Sequence, residues 1–307
     1  MLIGDVSPLT LGSSGLGRDA DASGDAVDTA RAMLASGLLV DTSNAYTGGR
    51  SEQTLGRVLA ESADAERADA ASRIVTKVDA DPRTHRFDRD RVLRSAEESL
   101  SRLGVDRVPL LHLHDPYSVS FEEAMGPGGA VAGLIELRES HVAGAIGIAA
   151  GPAPLVARYV DTGVFDAVLV HNRYTLVDRS ARAVFERAAA RGMTVFNAAP
   201  FGGGILAHGA ASGAGYGYRP ATDELRAWVA GVEHLCELRG VTLPTLALHF
   251  SLGAPFVHST VVGVSSPRRL VELEAMAAAS IPDELWSELE RLPPAPTPID
   301  DEQDGSR

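Results

Sequence analysis

A single cysteine, Cys236, in a chain of 307 residues excludes an internal disulfide and any CxxC redox or zinc motif. Its expected state is a reduced thiol, in keeping with a cytosolic setting. No apolar run reaches membrane-spanning length. Positive charge is also scarce. Lys and Arg number 28 against 41 Asp and Glu, for a net charge of −13. That balance argues against nucleic-acid phosphate as a partner. The opening residues, Met1-Leu2-Ile3-Gly4-Asp5, lack the basic and apolar regions of a signal peptide. The expectation is a soluble, cytoplasmic protein. What the chain does have is 45% apolar residues with 22% charged ones, a balance that buries a large core.

Short β-like runs alternate with helical periodicity. Strands are predicted at residues 8–12, 38–41, 73–77, 108–114, 143–149, 165–170, 193–198 and 259–264. Helices are predicted at 22–36, 51–62, 88–103, 129–140, 152–162, 180–191, 222–239, 244–252, 267–279 and 282–291. Ser51 stands near the expected cap of the second, and Gly104 closes the third. Eight strand–helix units in about 250 residues favour a closed parallel barrel over an open sheet. The predicted fold is therefore α/β, a single-domain (β/α)8 TIM barrel over residues 1–292. Residues 293–307, rich in proline and acid, are expected to be a loose tail. Longer connections follow strands four (115–128) and seven (200–221), where loops carry function.

In such a barrel, Asp41, Tyr46, Lys77 and His114 converge at the rim where three successive strands end. A tyrosine with its ordinary pKa of about 10 is a poor base at neutral pH. A neighbouring ammonium, Lys77, favours the phenolate and is expected to lower that pKa. Asp41 can hold Lys77 charged, and His114 can hydrogen-bond a reacting oxygen. The set suits proton transfer at a carbonyl or alcohol oxygen. It supplies no electrons, so redox chemistry would need a cofactor.

The segments around these residues resemble the aldo-keto reductases. Asp41-Thr42-Ser43-Asn44-Ala45-Tyr46 and Gly48-Gly49-Arg50-Ser51-Glu52-Gln53-Thr54-Leu55-Gly56 are similar to that family's signature after strand two. Ile74-Val75-Thr76-Lys77 and Leu111-His112-Leu113-His114-Asp115-Pro116 match its lysine and histidine segments. Arg173-Tyr174-Thr175-Leu176 and Ala199-Pro200-Phe201-Gly202-Gly203-Gly204 resemble the aldose 1-dehydrogenase branch. The resemblance implies Tyr46 as general acid/base, Lys77 and Asp41 as its tuning pair, and His114 as orienter of the substrate. Hydride would pass to or from C4 of a nicotinamide.

The implied cofactor is NADP or NAD. Its phosphates are expected at Gly263, Ser265 and Arg269, where the last strand meets a helix. Gly12 and Ser13 at the first strand end, and Pro200, Phe201, Gly202, Gly204 and Leu206, are further expected contacts. The glycines Gly12, Gly15 and Gly17 do not have Rossmann spacing. Departures from the family are also visible. Gly263 stands where a lysine is frequent, Ala149-Ala150 where many members have Ser-Asn, and Ala198 where many have a stacking tyrosine. His171 occupies the position of the carboxamide-holding glutamine, with Asn172 beside it.

The expected substrate is a small polar molecule, most simply an aldose, lying under residues 116–125 with Tyr117 and Phe121 as walls. The short tail is expected to leave the site open. Three rival readings stand beside this one. The first is a general aldehyde or ketone reductase. The second is a metal-dependent hydrolase using His112 and His114, which share one strand face. The third is a noncatalytic binding subunit on the same barrel.

Overall fold

The computed structural model describes residues 6–18, 23–297 and 299–301. Its strands are β1 (Leu9–Gly12), β2 (Leu39–Asp41), β3 (Ile74–Val78), β4 (Val108–His114), β5 (Ala143–Ala150), β6 (Ala167–His171), β7 (Thr194–Ala198) and β8 (Ser259–Gly263). Every neighbour is parallel, and β8 pairs back to β1 through Gly12 and Gly263. The sheet is a closed barrel. Helices cross over between the strands, as parallel pairing demands. β6 begins two residues later than predicted. The Asp166 carboxylate there accepts the Ile146 amide at 2.9 Å, replacing a backbone partner at the strand edge.

The period of two explains how polar groups come to lie inside. On β3, Ile74 and Val78 face the helical layer, while Val75 joins the barrel interior with Leu110, Leu169 and Phe196. Lys77 shares the parity of Val75. On β4, Leu111 and Leu113 face outward, so His112 and His114 share the inward parity of Leu110. Asp41 is inward because Val40 is packed outward. The register sets Lys77 beside His112 and His114 beside Ala149.

The second predicted helix spans Arg50–Glu61 and starts after Gly49, which is left-handed at φ 86°. Gly49 is its cap residue, and Ser51, near it, makes no capping bond. Its hydroxyl is buried, donating to the Ser13 carbonyl at 3.0 Å and sharing a bond with Thr42 Oγ1 at 2.9 Å. Glu52 beside it is fully buried. It accepts from Thr76 at 2.6 Å and pairs with Arg102 at 3.1 Å, tying β3 to the helix Arg89–Leu103. Gly56 lets these two helices touch. A Cβ there would lie 2.0 Å from the Arg102 carbonyl oxygen. Gly56→Ala would therefore destabilise by about 1–3 kcal/mol despite alanine's better helix propensity. A shift in the urea midpoint measures this, and an unchanged midpoint would show that the helices can slide apart freely.

Two further features were not predicted. A helix at Asp64–Ala71 buries only Ala70 and so carries no apolar period. The described part of the tail is not loose. Asp301 accepts both Arg173 Nε (2.8 Å) and Nη2 (2.6 Å), and its other oxygen accepts the Ala153 amide at 2.9 Å. Thr297 donates to Asp178 at 3.0 Å, and Ile299 packs into an apolar cluster with Leu206 and Tyr216.

Candidate active site

The segment after β2 is pinned on both sides of Tyr46. Ser43 donates to Asp79 Oδ2 at 2.6 Å. Asn44 donates to the Ser95 carbonyl at 3.1 Å and accepts from Arg91 at 3.1 Å. Thr47, at φ 51°, donates to the Leu16 carbonyl at 2.8 Å. With its neighbours fixed, Tyr46 is held over the barrel mouth. Its ring meets the His114 ring edge-on, with centroids 5.7 Å apart.

Lys77 is 1% exposed. Its Nζ donates to Asp41 Oδ1 at 2.6 Å, the Thr42 carbonyl at 2.7 Å and Tyr46 Oη at 3.1 Å. Those are the three hydrogens of an ammonium, all used. Burial opposes the charge, but Asp41 and Tyr46 outweigh it and hold the Lys77 pKa above the ordinary lysine value. Since Lys77 donates to Oη, the phenol's own hydrogen is directed elsewhere.

The expected lowering of the Tyr46 pKa is not what the site produces. Burial raises it well above the ordinary phenol value, and Lys77 only partly offsets this. Desolvation of the phenolate is the larger effect. Tyr46 at rest is a protonated phenol beside an ammonium, a proton donor before it is a base.

Two residues missed in the sequence, Asp79 and Asp115, complete the histidine's surroundings. His114 Nδ1 lies 2.7 Å from Asp79 Oδ1. Asp79 Oδ2 accepts from Ser43 and from the Ala45 amide at 3.0 Å. Asp115, at φ 42°, places Oδ2 3.7 Å from His114 Nε2 and Oδ1 3.5 Å from His171 Nε2. Burial would lower the His114 pKa, but Asp79 and Asp115 outweigh it and hold it above the ordinary imidazole value. His114 in turn is the main group drawing Asp115 down to about 2 against its burial. Parity could have found Asp79, which sits two residues beyond Lys77 and on the same face.

The expected cofactor residues divide into two groups. Gly263, the last residue of β8, and Ser265 beyond it are exposed, with open space where a Gly263 Cβ would stand. Ser266 caps the helix Pro267–Ala278 by accepting the Arg269 amide at 3.2 Å. Arg269 and Arg268 both reach Glu272, at 2.6 and 2.7 Å. Gly202 and Gly204 have φ of 62° and 143°. A Cβ on Gly202 would lie 2.2 Å from the Tyr216 ring, so this glycine serves internal packing. Gly12 and Pro200 are buried and Phe201 half-buried. Two side chains turn inward. The Ser13 hydroxyl is spent on the Asp41 carbonyl (2.8 Å) and Ser51 (2.8 Å). Leu206 is fully buried in the cluster around Tyr216. Asn172 is buried at φ 59°, near His171 at 3.3 Å, and its Oδ1 has no partner among the described residues.

Tyr117 and Phe121 line a cleft of about 600 Å³ together with His171, Arg173, Tyr218 and Asp301. It adjoins His114 through His171 and Asp115. The Tyr117 hydroxyl accepts the Gly151 amide at 2.9 Å. Phe121 packs on Tyr159 at 4.9 Å under the Arg158 guanidinium. Because Asp301 forms part of the wall, the tail reaches a cleft that it was expected to leave open. His112 lies inside the barrel, edge-on to Phe196 at 6.0 Å, with neither ring nitrogen hydrogen-bonded among the described residues. Among the described residues no group of three His, Cys, Asp or Glu is placed to hold a metal ion, so the His112–His114 pair lacks further ligands. No helix of the described residues is long and apolar enough to cross a membrane.

This geometry can be set beside known proteins. A D-threo-aldose 1-dehydrogenase from a Pseudomonas species is 34% identical over 214 residues, covering 69% of this chain but only 64% of the relative's own length. An L-galactose dehydrogenase from Arabidopsis thaliana is 29% identical over 298 residues, covering 94% of this chain and 90% of the relative. A solved aldo-keto reductase from Bacillus halodurans, in its holo form, superposes with a TM-score of 0.74 at 20% identity, covering 93% of this chain and 92% of that one. That last likeness is one of fold. The profile of the Aldo/keto reductase family matches residues 8–293, and the chain belongs to that family.

Proposed function

We propose that the protein is an NAD(P)-dependent oxidoreductase acting between a small polar carbonyl and its alcohol, with an aldose oxidised at C1 to a lactone as the favoured substrate pair. The observation that carries this reading is the 3.1 Å contact from Lys77 Nζ to Tyr46 Oη, backed by Asp41 and set beside His114 at the barrel mouth. The aldose choice is supported by the names of the two sequence relatives.

Bound nicotinamide would supply or accept the hydride. The residues present fit such a group. Asn172 Oδ1, buried without a partner, is an acceptor suited to a carboxamide N–H. Gly263, Ser265 and Arg269 offer an open strand-to-helix turn for phosphate, and Gly202–Gly204 a side-chain-free stretch of loop. A 2′-phosphate would have to draw Arg268 or Arg269 away from Glu272, so both NAD and NADP belong in the proposal.

In the reducing direction the Tyr46 phenol gives its proton to the carbonyl oxygen, and Lys77 stabilises the phenolate left behind. In the oxidising direction Tyr46 must first be deprotonated, and its phenolate then takes the anomeric hydroxyl proton. The protonated resting state of Tyr46 favours a second reading, a general aldehyde and ketone reductase. Absorbance of reduced nicotinamide, followed with NAD and NADP against sugars, pyridoxal and simple aldehydes, separates the two. Sugar-dependent reduction of the cofactor is the expected result. Turnover of aldehydes alone selects the second reading, and flat traces with every pair overturn both.

A further inference from the structure

We propose that Asp79 is a positioning residue that locks the proton of His114 on Nδ1, so that His114 can donate a hydrogen bond to the substrate oxygen only as the imidazolium. The inference rests on the oxidoreductase reading above and deepens it at the same site.

The argument begins with donors and acceptors. A carboxylate accepts hydrogen bonds and has no proton to give. Asp79 Oδ1 lies 2.7 Å from His114 Nδ1. Its other oxygen is occupied by Ser43 Oγ at 2.6 Å and by the Ala45 amide at 3.0 Å. Ser43 Oγ is also 3.2 Å from Nδ1, but its hydrogen goes to Asp79. No neighbour can therefore donate to Nδ1, and Nδ1 must carry the proton. In the neutral ring, Nε2 is then a bare lone pair. A lone pair cannot hydrogen-bond a carbonyl oxygen, which has only lone pairs itself. It becomes a donor when the ring takes a second proton.

The surroundings admit that second proton. Asp79 beyond β3 and Asp115 at the end of β4 favour it, with Asp115 Oδ2 3.7 Å from Nε2. Lys77 on β3 and burial oppose it. His112, two residues earlier on β4, is buried and held neutral, chiefly by that burial. Tyr46 meets the ring edge-on as a neutral phenol, and His171 on β6 lies 3.5 Å from the far oxygen of Asp115. Two carboxylates face the ring against one ammonium, and the histidine pKa stands above its ordinary value. Carbonyl reduction should then be level below that pKa and fall tenfold for each pH unit above it.

Asp79→Asn tests the assignment. An amide can turn its NH2 to Nδ1, which frees the proton to sit on Nε2 in the neutral ring. The variant's kcat/KM for carbonyl reduction should stay level where that of the wild type falls. Ring ¹⁵N shifts of labelled wild-type protein at high pH, with the His114 signal assigned by its loss in His114→Gln, read the tautomer without any turnover. Nδ1–H in the wild type and Nε2–H in Asp79→Asn are expected. Nε2–H in the wild type overturns the proposal, whether or not the variant folds. A wild-type reduction profile that stays level above the His114 pKa also overturns it. Should no carbonyl compound be turned over, the oxidoreductase reading fails, and the ¹⁵N tautomer still decides the role of Asp79.

Discussion

Tyr46→Phe lowers kcat by about 10²–10⁴-fold and leaves nicotinamide binding unchanged, the loss expected when a positioned general acid is removed. The substitution deletes one oxygen and keeps the ring. The hydrogen bond that oxygen makes to protein is the one from Lys77 Nζ at 3.1 Å. The edge-on packing against His114 and the cation over the ring at 4.6 Å both survive. The fold has little reason to change, so the loss belongs to the proton step. Turnover by wild type and variant, compared with cofactor titration by fluorescence quenching, checks both halves. Equal turnover would remove Tyr46 from the chemistry. Parallel loss of cofactor binding would instead make Tyr46 part of the cofactor's cradle.

The meeting of these polar groups is legible from sequence because a barrel brings strand ends together. Asp41, Lys77 and His114 each close a short apolar run, and the inward parity of β2, β3 and β4 then leaves them few other places to be. What was not legible depends on contacts distant in the chain. Asp79 looks like a turn residue until His114 is placed 2.7 Å away. The direction of the Tyr46 shift was misjudged because proximity to an ammonium is visible in a motif, whereas the desolvation that outweighs it is set by the whole mouth of the barrel. The tail has a composition that favours disorder, yet one carboxylate, Asp301, finds Arg173 on the rim. Ser13 and Leu206 stand in the right segments, but their side chains turn to internal partners that local spacing does not reveal. The helix Asp64–Ala71 escaped for the opposite reason, since it buries too little to have a period.

Lys77→Met is the substitution expected to cost both stability and activity. Lys77 and Asp41 are buried side chains, 1% and 5% exposed, at 2.6 Å. Removing the ammonium leaves the Asp41 carboxylate buried with its cation gone, and its Oδ2 already has no partner among the described residues. Breaking such a pair from one side destabilises by about 3–5 kcal/mol. The same change removes the Lys77 donor to Tyr46 Oη and with it the group that would stabilise a phenolate, so turnover falls with it. The double variant Asp41→Asn/Lys77→Met separates the two effects. With both charges gone, most of the lost stability should return, because the penalty came from an unpaired ion and not from a missing attraction. Turnover should not return, since no ammonium faces the phenol. Urea midpoints and kcat for wild type, both single variants and the double variant form the cycle. If the double variant is as unstable as Lys77→Met, the stability loss reflects packing at the barrel mouth, and the charge argument is wrong. If turnover recovers along with stability, Lys77 served only to neutralise Asp41, and the proton chemistry assigned to the Lys77–Tyr46 contact does not hold.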